Sequence, residues 1–269
     1  MYGAILGDMI GAPYEFDQGD KTKDFELFNW RKGVRYTDDT AMTIAIARAV
    51  MAAGIDADED LMKKEMIFSM QDIGNQYALG EYGGRFSKWL VSKDPQPYGS
   101  WGNGSAMRVS SIGWFFDTLE RTREVARWSA EVSHNHPEGI KGAESVAAAI
   151  YLLRNGKSRE EVKAYVIDEF GYDLSRTCDE IRPGYHHVES CQETVPEAFT
   201  AFFEGKDFED SIRNAVSLGG DCDTLTCITG GLAEAFFGVP DEFIRECNER
   251  IPDEFIEVIE KFYKSTHGR

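Results

Sequence analysis

"SLGGDCDTLTCITGGLAEAFFGVP", residues 217–240, is the stretch on which the fold turns. From Thr224 to Gly238 nearly every position is apolar or small, whichever face of a helix it falls on. A helix that is hydrophobic all round belongs inside a protein rather than at its edge. Yet its mouth carries Asp221 and Asp223, one on each side of Cys222. Carboxylates are costly to bury unless something compensates them. "YTDDTAMTIAIA" (36–47) repeats the design, with Thr37, Asp38 and Asp39 leading into an alanine-rich apolar run.

Working outward, "TAMTIAIARAVMAAG" (40–54) and "GAESVAAAIYLLRNG" (142–156) join residues 224–238 as central, buried helices. "DADEDLMKKEMIFSM" (56–70), "TLERTREVARWSAEV" (118–132), "SREEVKAYVIDEF" (158–170) and "DEFIEVIEKFY" (253–263) mix charge with apolar residues at helical spacing, which predicts an outer layer. Strand-like alternation is nearly absent. No repeat, low-complexity tract or long Pro/Gly/Ser linker interrupts the chain. Residues 1–269 therefore read as one compact all-α domain, with two helical domains as the alternative.

Charge and composition narrow the function. The chain carries 29 basic and 47 acidic residues, a net charge of −18. It repels phosphate backbones, which excludes a nucleic-acid coat but not a small anionic ligand held beside metal ions. No apolar run approaches the roughly 20 residues of a membrane span. "MYGAILGDMIGAPYEF" lacks a basic leader and meets Asp8 early, so a signal peptide is not expected. Five cysteines, an odd number without tight pairing, fit reduced thiols and a cytoplasmic location.

Two explanations compete for the aspartates. Asp and Thr are good helix caps and suit the positive end of a helix dipole. Capping accounts for one aspartate per helix, however, and leaves Asp-Asp and Asp-x-Asp-Thr in surplus. Crowded carboxylates invite a cation, and oxygen-only ligands suit Mg²⁺, or alternatively Mn²⁺ or Ca²⁺. Asp8 and Glu15 add a third acidic group in "GAILGDMIGAPYEF" (3–16), where the glycines permit close helix packing. Pro13 ends that helix and turns Glu15 toward whatever lies beside it. "GEYGGRF" (80–86) and "GSWGNGSAMR" (99–108) are glycine-rich loops whose backbone could approach a ligand, with Trp101 offering a face for a base or sugar. His186 and His187, between Cys178 and Cys191, match no common zinc spacing. His136 reads as loop structure.

These motifs, in this order, resemble the ADP-ribosylglycohydrolase family: "GAILGDMIGAPYE", "YTDDTAM", "SWGNGSAMR", the "SH" of "VSHNHPEG", "SCQETVPEAF" and residues 217–240. The resemblance runs almost end to end, to a group that includes dinitrogenase reductase-activating glycohydrolase and the ADP-ribosylarginine and ADP-ribosylserine hydrolases. It implies an all-α orthogonal bundle with two Mg²⁺ ions in a central cleft. Thr37, Asp38 and Asp39 would hold the metals from one side, and Asp221, Asp223 and Thr224 from the other. Glu15, Asp38 or Asp39 would be the catalytic carboxylate. Ser100, Trp101, Gly102 and Asn103 would surround the diphosphate and distal ribose, His134 the adenosine, and Tyr82 and Gly83 a variable substrate loop. The implied reaction releases ADP-ribose from an ADP-ribosylated protein or small molecule, a nucleic acid entering only as a modified substrate. The preferred acceptor is arginine, with serine, a nucleic-acid base or O-acetyl-ADP-ribose as alternatives, and the chain is expected to act as a monomer. An aspartyl-phosphate phosphohydrolase and a silent ADP-ribose binding module are the rival functions.

Overall fold

The computed structural model describes residues 1–267. Its first half runs α1 (Tyr2–Gly11), α2 (Asp38–Ala53), α3 (Glu59–Gly74), α4 (Gly84–Leu90), α5 (Gly104–Met107), α6 (Ser110–Phe115) and α7 (Leu119–Glu131). The second half adds α8 (Pro137–Arg154), α9 (Arg159–Phe170), α10 (Cys178–Ile181), α11 (Cys191–Glu204), α12 (Phe208–Leu218), α13 (Cys222–Phe237), α14 (Asp241–Asn248) and α15 (Asp253–His267). The described residues hold no β-strand, only an isolated bridge between Gly102 and Ser190. The fold is all-α, as the periodicity predicts.

Each segment that is apolar all round becomes a central helix. Every residue of α13 from Cys222 to Glu234 is buried, and α2 and α8 are buried along most of their length. The glycines of α1 explain how two such helices come so close. Gly3, Gly7 and Gly11 face Gly230, the Thr226–Cys227 pair and the Cys222–Asp223 pair of α13. A Cβ on Gly11 would stand 2.5 Å from the Cys222 carbonyl oxygen and 2.7 Å from Asp223 Cα. Helices meet this closely only where small residues line the seam. The spacing of four residues keeps all three glycines on one face.

That seam fixes the site. It runs α1 along α13 so that Asp8 lies near the start of α13, and Asp8 is itself bonded to the start of α2. Across from these, the Gly102–Ser190 bridge joins the loop before α5 to the strap between α10 and α11. A cleft opens between the two sides.

Candidate metal centre and cleft

Asp8 is the fixed point. It is fully buried, and its carboxylate accepts the Thr37 N–H (2.9 Å), the Thr37 hydroxyl (2.7 Å), the Thr40 N–H (3.0 Å) and the Thr40 hydroxyl. Burial raises its pKa to about 6 against the pull of these four bonds. Three of these bonds fall on Oδ2 and one on Oδ1, so Asp8 anchors the start of α2 and keeps acceptor capacity on Oδ1.

The capping explanation can now be checked bond by bond. Thr37 caps α2, its hydroxyl accepting the Asp39 N–H, so neither Asp38 nor Asp39 is needed for that task. Asp221 occupies the N-cap of α13 but makes no side-chain cap bond. Its Oδ2 instead accepts the Asn103 side-chain amide at 2.6 Å. Other helices are capped in the ordinary way, α3 by Asp58, α7 by Thr118 and α9 by a Ser158–Glu161 box. Asp223 Oδ1 accepts the Thr224 N–H at 2.9 Å in the first turn of α13, while Asp38, Asp39 and Asp221 make no cap bond.

What they do is crowd together. Oxygens of Asp8, Asp39 and Asp223 lie within 4.8 Å of one another, and so do those of Glu15, Asp221 and Asp223. Asp223 belongs to both groups. Thr224 donates its hydroxyl to Asp39 Oδ2 at 3.2 Å, tying α13 to α2. Asp39 Oδ1 is buried with no hydrogen-bond partner among the described residues. Burial first, then the neighbouring carboxylates, push Asp38, Asp39 and Asp223 well above the usual carboxylate range. Asp221 is raised to about 6, chiefly by burial. A buried, partnerless acceptor amid mutually repelling carboxylates fits a hard cation, and the donors are all oxygen. Cys222 turns away, its Sγ lying 3.8 Å from the Val216 carbonyl and the Thr226 hydroxyl.

Glu15 arrives as the proline suggests. α1 ends at Gly11, and the chain bends through a short turn over Ala12–Asp17. The turn leaves Glu15 half-buried beside Asp221 and Asp223, where burial and Asp223 push its carboxyl up to about 7.

The cleft has a volume of about 430 Å³, and Asp38, Gly83, Ser100, Gly102, Asn103 and His134 line it with these carboxylates. Asn103 is held by three bonds: its N–H to the Glu189 carbonyl, and its side-chain amide to Asp221 and Thr194. His134 is buried, its Nδ1 2.8 Å from the Ser133 hydroxyl. Burial and the Arg108 guanidinium hold its pKa well below the usual range.

Two expected residues lie elsewhere. Trp101 is half exposed and meets His136 edge-on at 5.4 Å, outside the cleft lining. The Gly102–Ser190 bridge lies beside the Trp101 carbonyl, which accepts the Cys191 N–H, and the Gly102 N–H turns back to the Ser100 hydroxyl at 3.1 Å. Tyr82 is buried and donates its hydroxyl to the Tyr77 carbonyl, packing behind the wall rather than in it. Sequence reasoning missed Arg85, Phe86, Tyr98 and Arg108, which line the cleft. Three of the four fall in the two glycine-rich loops, which were the signal. His136 caps α8 through its ring Nδ1, in keeping with a loop role. His187 pairs with Glu189 at 3.1 Å, and no zinc-like group of His and Cys forms among the described residues.

Comparison with known proteins agrees with this architecture. The sequence model of the ADP-ribosylglycohydrolase family matches residues 1–269. The chain is 24% identical to human "ADP-ribosylhydrolase ARH3", covering 91% of this chain and 87% of that protein. It is 26% identical to "ADP-ribosylarginine hydrolase Tri1" of Serratia proteamaculans, covering 88% of this chain and 70% of that one. A solved structure titled "ADP-ribosylglycohydrolase-related protein complex" shares the fold, with a TM-score of 0.74 at 23% identity over 98% of this chain and 95% of that one. The chain belongs to the ADP-ribosylglycohydrolase family.

Proposed function

We propose that this member of the ADP-ribosylglycohydrolase family hydrolyses ADP-ribosyl-arginine with two Mg²⁺ ions, or Mn²⁺ in their place, held between the mouths of α2 and α13. The observation that carries the metal is the pair of carboxylate groups sharing Asp223, with Asp39 Oδ1 partnerless beside them. Thr37, Asp38 and Asp39 would contribute from α2, and Asp221, Asp223 and Thr224 from α13. Bound there, the cations would supply Lewis acidity and a grip on the hydroxyls of the distal ribose.

The chain's own groups divide the remaining work. Water adds to ribose C1″ as the bond from C1″ to the acceptor breaks, through an oxocarbenium-like transition state. Glu15, with a carboxyl pushed up to about 7, is suited to take the proton of that water and return it to the departing acceptor. Asn103 holds Asp221 in place and Asp8 holds Thr37. Arg85 is an exposed cationic group of a largely acidic cleft, and it suits the diphosphate. Tyr98, Phe86 and His134 suit the adenosine. Trp101, which does not line the cleft, is given no ligand contact in this reading.

For the acceptor, the name of the Serratia relative supports arginine. So do Glu81 and Glu189, exposed carboxylates of the cleft that would meet a guanidinium favourably. Among the described residues no helix is long and apolar enough to cross a membrane, and a cytoplasmic monomer acting on modified protein completes the proposal. Defined ADP-ribosyl conjugates of arginine, serine, thymidine and O-acetyl ester test it, with free ADP-ribose as the readout. Release from arginine above the others is expected. Release from another conjugate alone would replace the acceptor. Binding of ADP-ribose without turnover of any conjugate would overturn the hydrolytic reading.

A further inference from the structure

Asp17 stands two residues past Glu15, and none of the roles above uses it. The turn that presents Glu15 is sharply bent: φ is +58° at Phe16 and +57° at Asp17. Residues with a Cβ seldom adopt this conformation, and it persists where the surroundings impose it. Here the Asp17 carboxylate is the restraint. Its Oδ2 accepts the His187 N–H at 2.9 Å and its Oδ1 accepts the Gly220 N–H at 3.0 Å. Lys21 lies 3.5 Å from Oδ1 and donates to the Tyr185 carbonyl. Phe16 packs its ring on His187, with centroids 4.7 Å apart.

The two glycines ahead of Asp221 belong to the same joint. Gly219 and Gly220 both have positive φ. A Cβ on Gly219 would stand 3.3 Å from Asp17 Oδ1 and 2.9 Å from Lys21 Cε, and one on Gly220 would stand 2.7 Å from the Tyr185 ring. One carboxylate thus joins three segments of the cleft wall: the Glu15 turn, the strap that ends in Glu189, and the loop that ends in Asp221.

We propose that Asp17 is a positioning residue, a clasp that sets Glu15 against Asp221. The inference rests on the reading of Glu15 as the proton-handling carboxylate. Asp17→Gly keeps the backbone conformation and removes both acceptors. Asp17→Asn keeps one acceptor oxygen and tolerates the positive φ. The assay is Mg²⁺-dependent release of ADP-ribose from ADP-ribosyl-arginine, or from whichever conjugate the wild type cleaves.

Displacing a catalytic group by about 1 Å costs up to roughly a hundredfold in rate, so Asp17→Gly is expected to lower kcat by about tenfold or more. A loss confined to the chemical step leaves KM within about threefold, and Asp17→Asn should recover part of kcat. In a Glu15→Gln background, adding Asp17→Gly should change kcat by less than about twofold, because both changes act through one group. Independently of activity, amide exchange at His187 and Gly220 should accelerate in Asp17→Gly, since each loses its acceptor. Wild-type kcat in Asp17→Gly, or full additivity with Glu15→Gln, overturns the proposal and leaves the reading of Glu15 standing. Wild-type turnover by Glu15→Gln alone removes the premise, and the proposal with it.

Discussion

Gly7→Ala is the most direct test of how the seam between α1 and α13 builds the site. A Cβ at position 7 would overlap the Thr226 carbonyl, whose carbon lies 2.5 Å away, and stand 2.8 Å from Cys227 Cα. These are backbone atoms inside a buried helix, so no rotamer change relieves the clash, and the helices must part. Overpacking of this kind costs about 1–3 kcal/mol or more, while replacing a helical glycine by alanine returns roughly 1 kcal/mol of helix propensity. The obstruction is main chain, which places the cost at the upper end and leaves a net loss of about 2 kcal/mol. In a chain of this size that lowers the melting temperature by roughly 4–8 °C.

The consequence reaches the site because Asp8 follows Gly7 directly and Asp223 precedes Thr226 by one turn of α13. Parting the helices separates the Asp8-anchored end of α2 from Asp223, so Mg²⁺ should also stabilise the variant less than the wild type. Thermal unfolding followed by circular dichroism, in EDTA and in several millimolar Mg²⁺, measures both effects. Gly184→Ala is the control: its Cβ would meet nothing within 4 Å and its φ is not positive, so no shift is expected. If Gly7→Ala melts with the wild type and keeps the full Mg²⁺ response, the seam does not position the site.

Other outcomes follow from the same geometry. EDTA should lower the melting temperature and stop catalysis, since a cation at a hundredfold excess over its Kd stabilises by about 2.7 kcal/mol; Asp223→Asn, which takes a charge from both carboxylate groups, should blunt that response, and identical curves with and without Mg²⁺ would refute the metal site. In EDTA the protein should also lose stability as pH rises from about 5 to 7.5. Asp8 and Asp221 are raised to about 6 and Glu15 to about 7, so folding favours their protonated forms, and that advantage disappears as pH passes through those values. A melting temperature flat over that range would contradict it. Calorimetry with ADP-ribose should give Trp101→Ala a Kd within about twofold of wild type and Tyr98→Ala a roughly tenfold weaker one, in line with about 1–3 kcal/mol for a lost stacking face. The reverse order would return Trp101 to the site.

What the sequence disclosed and what it withheld divide along a physical line. A helix apolar on every side must be central, so α2, α8 and α13 are legible from local pattern alone. Glycines four residues apart announce a close seam, though not its partner. The Asp8 bonds cross 29 residues and the bond from Asn103 to Asp221 crosses 118, and no periodicity records such pairings. The side on which Trp101 lies was not legible, because an aromatic in a glycine-rich loop looks the same whichever way the backbone turns it. The bridge to Ser190 decides that, and it lies on another segment.

The aspartates mark the boundary most clearly. From sequence, Asp38, Asp39, Asp221 and Asp223 could be caps or ligands, because both uses place a carboxylate at a helix start. The distinction lies in where the hydrogen bonds go. At α2 the N-cap work is done by Thr37, and at α13 the residue in the cap position turns its carboxylate to Asn103. Of the four, Asp223 accepts a first-turn N–H, that of Thr224, while Asp39 Oδ1 is left buried without a donor among the described residues. Bringing such groups together opposes folding, as their raised pKa values record. A fold keeps that arrangement where something of opposite charge offsets it. The Arg108 guanidinium is committed to Ser129 and Ser133, so no cationic side chain in these bonds answers the aspartates. A cation from solution is the proposed one, and the Mg²⁺-dependent melting shift is where that proposal becomes measurable.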